Sequence, residues 1–311
     1  MPKIAYVDKV FSQAHLTIIK TANVICREYA AAGYSLTLRQ LYYQFVARGM
    51  LPNRDTEYKR LGGIVNDGRL AGLIDWNFIV DRTREVKEDP HWSSPEEVIE
   101  AIAEQYRNAK WERQPVRMEA WIEKEALADV IARPAKALDI PRFACRGYNS
   151  QSNAWEAAQR ILGYFRNGAE RVVILHLGDH DPSGIDMTRD ITDRFDLFIR
   201  HHSEEYADNF EVRRIALNME QVEQYQPPPN PAKLTDSRVG SYLARFGDES
   251  WELDALDPPT IDALIRAEVE KERDPDLWDE AVSKEDDERD LLAQASGRWD
   301  EVADLLRRNA A

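Results

Sequence analysis

Only two cysteines occur in the 311 residues, Cys26 and Cys145, and they stand too far apart in sequence for a thiolate metal spacing. Buried free thiols are therefore expected, and not a disulfide framework. No apolar run approaches the roughly 20 residues that span a bilayer. The start of the chain, Met1 to Asp8, has no long apolar core of the kind a signal peptide carries. A cytoplasmic location without a membrane partner is the expectation. Nor is there a Gly-x-x-x-x-Gly-Lys phosphate loop, an internal repeat or a low-complexity tract. A strongly basic footprint is missing as well. The net charge is −15, but residues 243–311 carry 9 Lys+Arg against 21 Asp+Glu, whereas residues 1–90 carry 13 against 10. The mildly basic first part is thus left able to face a phosphate backbone.

What is present, after Pro115, is an alternation of strand-like and helix-like segments. Arg171 to Leu177 reads as a strand covered on both faces, since from Val172 on it is a nearly unbroken apolar run rich in β-branched residues. Val116 to Ile122, Arg142 to Cys145 and Phe210 to Leu217 read as further strands, with helices over residues 123–132 and 153–165 and from Ile185. An α/β class with a parallel sheet follows. Gly178 ends the central strand, and Asp179 and Asp181 flank His180. If the chain stays extended, both carboxylates face one side and the imidazole the other. Pro182 and Gly184 then turn the chain into a helix. Glu123 ends the first strand on the same edge, where open α/β sheets bind ligands. Three acids there repel one another, and one or two hard cations such as Mg²⁺ relieve the repulsion. A helix cap for one aspartate and a first-turn dipole role for Glu123 are the competing assignments.

Residues 1–88 carry helical periodicity over 10–33, 35–49 and 57–71. Ser35 or Thr37 caps the second helix, with Leu38, Leu41, Tyr42, Phe45 and Val46 inward and Tyr43 off that stripe. In the third, Lys59, Arg60 and Arg69 point outward. Leu73 to Val80 followed by Asp81 to Arg84 reads as a hairpin, and three helices then a hairpin is the order of a winged helix. A plain helical scaffold is the alternative. Residues 89–114 form a Pro-rich connection and a linker helix from Glu96 to Trp111, residues 115–225 the sheet domain, and residues 226–311 a Pro-rich then acidic helical extension. Its run Glu285-Asp-Asp-Glu288 reads as a solvated helix face.

The glutamate after one strand, with an Asp-x-Asp after another, resembles the Toprim domain of topoisomerases, bacterial primases and a group of nucleases. Arg39-Gln-Leu-Tyr42-Tyr43 is similar to the Arg-x-x-Tyr-Tyr motif of the topoisomerase VI A subunit and its relatives, the meiotic double-strand-break proteins. Glu123-Lys124 resembles that family's Glu-Lys element, and Asp179-His-Asp181-Pro-Ser-Gly184 its Asp-x-Asp-Pro-x-Gly. The three motifs stand in the family's order between residues 35 and 200. The resemblance implies a winged helix followed by a Toprim domain, with Mg²⁺ held by Glu123, Asp179 and Asp181. It makes Tyr43 the nucleophile, forming a 5′-phosphotyrosyl link to double-stranded DNA. Arg39, one helical turn away, would face the same phosphate. A phenol with an unperturbed pKa of about 10 needs such help to attack. It also implies a homodimer in which the tyrosine of one protomer works with the metal of the other. Lys59, Arg60, Arg69, Arg82, Arg84 and Arg146 are the expected phosphate contacts. Any ATPase would be a separate subunit, and strand passage is not assigned to this chain alone. Gln40, where the family often has an acid, and His180 are departures. A hydrolytic nuclease using metal-activated water and a non-catalytic DNA-binding factor with a relic Toprim fold are the rival readings.

Overall fold

Ser12 and Thr37 open the first two helices by accepting backbone N–H groups with their side chains, and Gln40 completes a capping box with Thr37. A computed structural model describes residues 3–80, 89, 91–231 and 238–309. Helices α1 (Gln13–Ala31), α2 (Leu38–Ala47) and α3 (Asp55–Leu70) pack around Ile19, Ile25, Leu36, Leu41, Phe45 and Leu61. Each such side chain taken from water contributes about 1.5–3 kcal/mol. The segment Leu73 to Val80 is not the hairpin limb expected. It holds a 3-10 turn, Trp76–Phe78, capped by the Asp75 side chain, and Ile79 bridges in parallel to Leu36. The other proposed limb, Asp81 to Arg84, lies outside the described residues.

Helix α4 (Pro95–Gln105) stops before the expected Trp111, because Trp111 turns inward and its indole N–H donates to the Leu138 carbonyl at 2.7 Å. Beyond it come β1 (Val116–Ile122), α5 (Ala128–Ala137), β2 (Arg142–Ala144), α6 (Gln151–Arg166), β3 (Arg171–Leu177), α7 (Pro182–Arg200), α8 (Glu204–Asp208) and β4 (Phe210–Ala216). The strands form one parallel sheet in the order β2-β1-β3-β4, so the chain is mixed α/β. The order reverses between β1 and β3, and at such a switch point the loops diverge and open a crevice.

After α9 (Met219–Tyr225), the short strands β5 (Asn230–Pro231) and β6 (Glu249–Ser250) pair antiparallel, with α10 (Val239–Phe246) between them in sequence. Helices α11 (Pro258–Glu272), α12 (Pro275–Gly297) and α13 (Trp299–Asn309) follow. Period-two alternation divides the core. Met118, Ala120, Val173 and Leu175 face α5 and α11, whose Ile131, Ile261 and Ile265 pack among them. Trp121, Val172 and Ile174 face α6 and α7. The extension beyond residue 226 thus supplies part of the sheet's own core.

The acidic run in α12 is not uniformly solvated. Glu285 is only 4 % exposed and takes Lys110, the Arg107 guanidinium (3.3 Å), the Asn108 N–H (2.8 Å) and the Arg289 guanidinium (2.5 Å). Burial alone would raise this carboxyl, but those donors outweigh it and hold it down at about 2. The expectation failed because four-residue periodicity cannot reveal a cation 175 residues away in sequence.

Candidate active site at the sheet edge

Glu123 does not begin the helix after β1, as had been expected. Its N–H donates to the Leu177 carbonyl at 2.9 Å, so the strand pairing runs one residue further, and α5 begins only at Ala128. That removes the first-turn dipole role and leaves the carboxylate at the sheet edge. Beside it, Glu123 Oε2 accepts the Asp179 N–H at 2.9 Å. Two glycines make this approach feasible. A Cβ on Gly178 would lie 2.9 Å from Glu123 Oε2, and one on Gly184 would lie 2.1 Å from the Asp179 carbonyl oxygen. Side chains at those positions would push the turn apart.

The two aspartates do different work. Asp181 caps α7, its Oδ1 accepting from the Gly184 N–H (2.7 Å) and the Ser183 hydroxyl (2.9 Å). Asp179 instead accepts the Leu253 N–H (2.8 Å) and the Lys124 ammonium (2.9 Å) through Oδ1. His180 turns the other way, its Nδ1 2.8 Å from the Tyr242 hydroxyl and its ring among Tyr242, Phe246 and Trp251. Burial brings its pKa down to about 4, so the imidazole is neutral. The same physics, followed by the like charge of Asp179, lifts the Glu123 carboxyl to about 7. Asp179 is raised by burial too, with Lys124 opposing. A raised pair of carboxyls signals anionic oxygens short of positive charge.

Lys124, Glu252, Asp254 and Arg39 join this edge to the helical bundle. The Lys124 ammonium reaches Asp254 at 2.8 Å and Glu252 at 3.2 Å. Arg39 pairs with Glu252 and lies 4.0 Å from Asp254. Burial opposes both cations, and the facing acids overcome it and raise them. Glu252 and Asp254 belong to the 3-10 turn region after β6, and Ala255 of the same turn packs against the bundle core. Sequence spacing offered no sign of these two acids.

Tyr43 is 3 % exposed, and its ring belongs to the bundle core rather than lying off the apolar stripe. A ten-residue helix packed by two partners buries more of its circumference than one stripe accounts for. Its hydroxyl emerges at the seam, 3.5 Å from the Asn230 Nδ2 and within hydrogen-bonding reach of Arg39. Burial, then the charge of Glu252, raises the phenol's pKa, which is the reverse of activation. Tyr42 also is buried, with its hydroxyl in the loop at Pro52 to Arg54.

The expected phosphate contacts separate into groups. Arg39, Arg69 and Arg146 line one open cleft of about 650 Å³ together with Lys124, Glu123 and Asp254. Arg69, expected to point outward, is instead tied to the Trp76 and Ile79 carbonyls at 2.9 and 3.1 Å and lies 4.4 Å over the Trp76 ring. Its task is to hold the 3-10 turn. Arg146 makes a two-pronged pair with Glu125, both bonds 2.9 Å. Arg60 pairs with Glu57 on the same helix, Lys59 is exposed, and neither lines the cleft. Arg82 and Arg84 lie outside the described residues. Both cysteines are buried and free.

Glu123, Asp179 and Asp181 offer only hard oxygen donors, the type Mg²⁺ takes, although Asp179 already holds the Lys124 ammonium at 2.9 Å. Among the described residues, no three His, Cys, Asp or Glu side chains are already gathered as a metal cage. No helix among them is long and apolar enough to cross a membrane. No protein-family model matches the chain, and comparison with curated proteins finds no match.

Proposed function

We propose that this protein cleaves double-stranded DNA in a Mg²⁺-dependent transesterification, in the manner of a topoisomerase VI A subunit, with a winged-helix unit and a Toprim unit in one chain. What supports the reading is one connected set of groups. The Tyr43 hydroxyl lies by Arg39, Arg39 meets Glu252 and Asp254, these meet Lys124, and Lys124 meets Asp179 beside Glu123, at the switch point of a parallel sheet. Bound to Glu123, Asp179 and Asp181, Mg²⁺ would neutralise phosphate charge. Arg39 and Lys124 exchange their acid partners for the phosphate and orient it. The Tyr43 oxygen forms the new bond to phosphorus, the bond to the 3′ oxygen breaks, and the phenol's proton is lost as the 3′ hydroxyl gains one. Asn230 covers the hydroxyl, so its short strand withdraws before the phenol can act. The resemblance adds a homodimer in which the phenol of one protomer serves the acids of its partner, whereas the connected set above lies within one chain.

The burial of Tyr43 favours a second reading, hydrolysis by water at the same acids, because Glu123 lines an open cleft while the phenol does not. End-labelled duplex incubated with protein and Mg²⁺, then rapidly denatured, separates the two. Protein attached to 5′ ends, lost in both Tyr43→Phe and Glu123→Ala, is the expected result. Cleavage that survives Tyr43→Phe but not Glu123→Ala means hydrolysis. Binding that ignores EDTA and never yields a break means a DNA-binding factor.

A further inference from the structure

Arg214 sits on β4, two strands away from Glu123, and nothing in its sequence neighbourhood marks it out. Its guanidinium nevertheless grips the whole turn that carries the two aspartates. One nitrogen, Nη2, donates to the carbonyls of Gly178 (2.9 Å) and Asp179 (2.6 Å); the other, Nη1, donates to the Gly184 carbonyl (3.0 Å) and the Thr188 hydroxyl (2.8 Å). The Leu217 carbonyl lies 3.4 Å from both Nε and Nη2. The end of β3, the turn and the first two turns of α7 are therefore tied to one rigid plane. Its charge also lies in the field of Glu123, Asp179 and Asp181.

We infer that Arg214 is a positioning residue for the acid site: its planar fork fixes the strand-to-helix turn that carries Asp179, whose N–H meets Glu123, and Asp181, which caps α7, and its charge offsets the repulsion among the three acids before any cation arrives. Three carbonyl oxygens at positions 178, 179 and 184 converge on a single side chain, and a guanidinium, with five N–H donors in fixed directions, can satisfy that many acceptors at once. A lysine carries the same charge on one point and cannot. The carbonyls of Gly178 and Gly184 belong to the two glycines that allow the turn to close on Glu123, so the clamp and the close approach act on the same few bonds. Groups that orient metal-binding acids without touching the metal typically alter affinity about 10- to 100-fold when removed.

This inference rests on the reading of Glu123, Asp179 and Asp181 as cation ligands, and two readouts keep its failure apart from failure of that reading. In the full chain without divalent ions, Arg214→Lys is expected to speed amide hydrogen exchange over residues 178–185 by about tenfold or more, leaving α1 to α3 unchanged. Thr188→Val, which removes the hydroxyl that accepts from Nη1 and also meets the His176 Nδ1 at 2.9 Å, is expected to give a smaller change in the same place and guards against an Arg214 variant that does not fold. Mn²⁺ binding followed by electron paramagnetic resonance is expected to weaken at least tenfold in Arg214→Lys. Unchanged exchange at residues 178–185 overturns the inference, as does acceleration spread evenly over the sheet, which would make Arg214 an ordinary strut. A loosened turn with undiminished Mn²⁺ affinity also overturns it. Should the unaltered chain bind no Mn²⁺, the cation reading falls, and the exchange pattern alone decides whether Arg214 holds the turn.

Discussion

Glu252→Gln, alone and together with Asp254→Asn, would test whether the acids at the seam occupy the place of DNA phosphates. Side-chain exposure is 46 % for Arg39, 24 % for Lys124 and 23 % for Glu252, so these pairs are partly solvated. The single change should then lower folding stability by only about 1 kcal/mol. Asp254 is 3 % exposed, and neutralising it should cost about 2 kcal/mol. For DNA the balance goes the other way. A carboxylate roughly 7 Å from an incoming phosphate, at an effective dielectric of about 40, repels it by on the order of 1 kcal/mol. The same change releases a cation. We expect roughly fivefold tighter duplex binding for Glu252→Gln and about 30-fold for the pair at low salt. The dependence of log affinity on log salt should steepen by about 0.9 for each phosphate newly neutralised. Fluorescence anisotropy of a labelled duplex in EDTA, titrated at several NaCl concentrations, reads both quantities. Unchanged or weaker binding at every salt concentration, by protein whose circular dichroism and Tm show it folded, would refute the idea that phosphate competes with these acids.

Two further outcomes follow from the turn itself. Glu123 is lifted from 4.5 to about 7, so the folded chain holds this proton more tightly than the unfolded one. The resulting penalty is absent below about pH 4.5 and complete above about pH 7. Without divalent ions, Glu123→Gln should therefore raise stability at pH 8 by on the order of 2 kcal/mol and leave it unchanged near pH 4.5. Thermal melts at both pH values check this, and equal Tm at pH 8 would count against it. Gly184→Ala places a methyl where the Asp179 carbonyl already lies, 2.1 Å away, and should cost about 3 kcal/mol or more while abolishing Mg²⁺-dependent activity. Gly163→Ala, in the interior of α6 with nothing within 4 Å of the added carbon, is the control and should stabilise by up to about 1 kcal/mol. Urea titrations that rank the two glycines equally would contradict the close approach.

Much of the framework is visible in local pattern. The runs at residues 116–122 and 171–177 become β1 and β3 with those bounds: β3 is apolar and β-branched along most of its length, and β1 is buried throughout although Arg117 and Glu119 interrupt its apolar residues. Asp179-His-Asp181-Pro-Ser-Gly184 foretold a turn at the end of β3, and the glycine's close contact with the Asp179 carbonyl explains why that position carries no side chain. The start of α5 was misplaced, since a sheet hydrogen bond from Glu123 to Leu177 holds the first expected residue in the strand and residues 125–127 form a 3-10 turn ahead of the helix. Tyr43 was misjudged because a one-stripe helical pattern takes no account of a second covering surface.

Sequence by itself determined the alternation of strands and helices, the edge at which the acids emerge, and the residue types able to hold a hard cation, all consequences of spacings of two, three or four residues. Only tertiary structure decided that Glu252 and Asp254 meet Arg39 and Lys124, that Arg214 grips the aspartate turn, and that Tyr43 is covered. Those meetings join residues tens to hundreds of positions apart, 213 in the case of Arg39 and Glu252. Side-chain periodicity is a property of one element, whereas contacts of that range depend on how several elements share a single core.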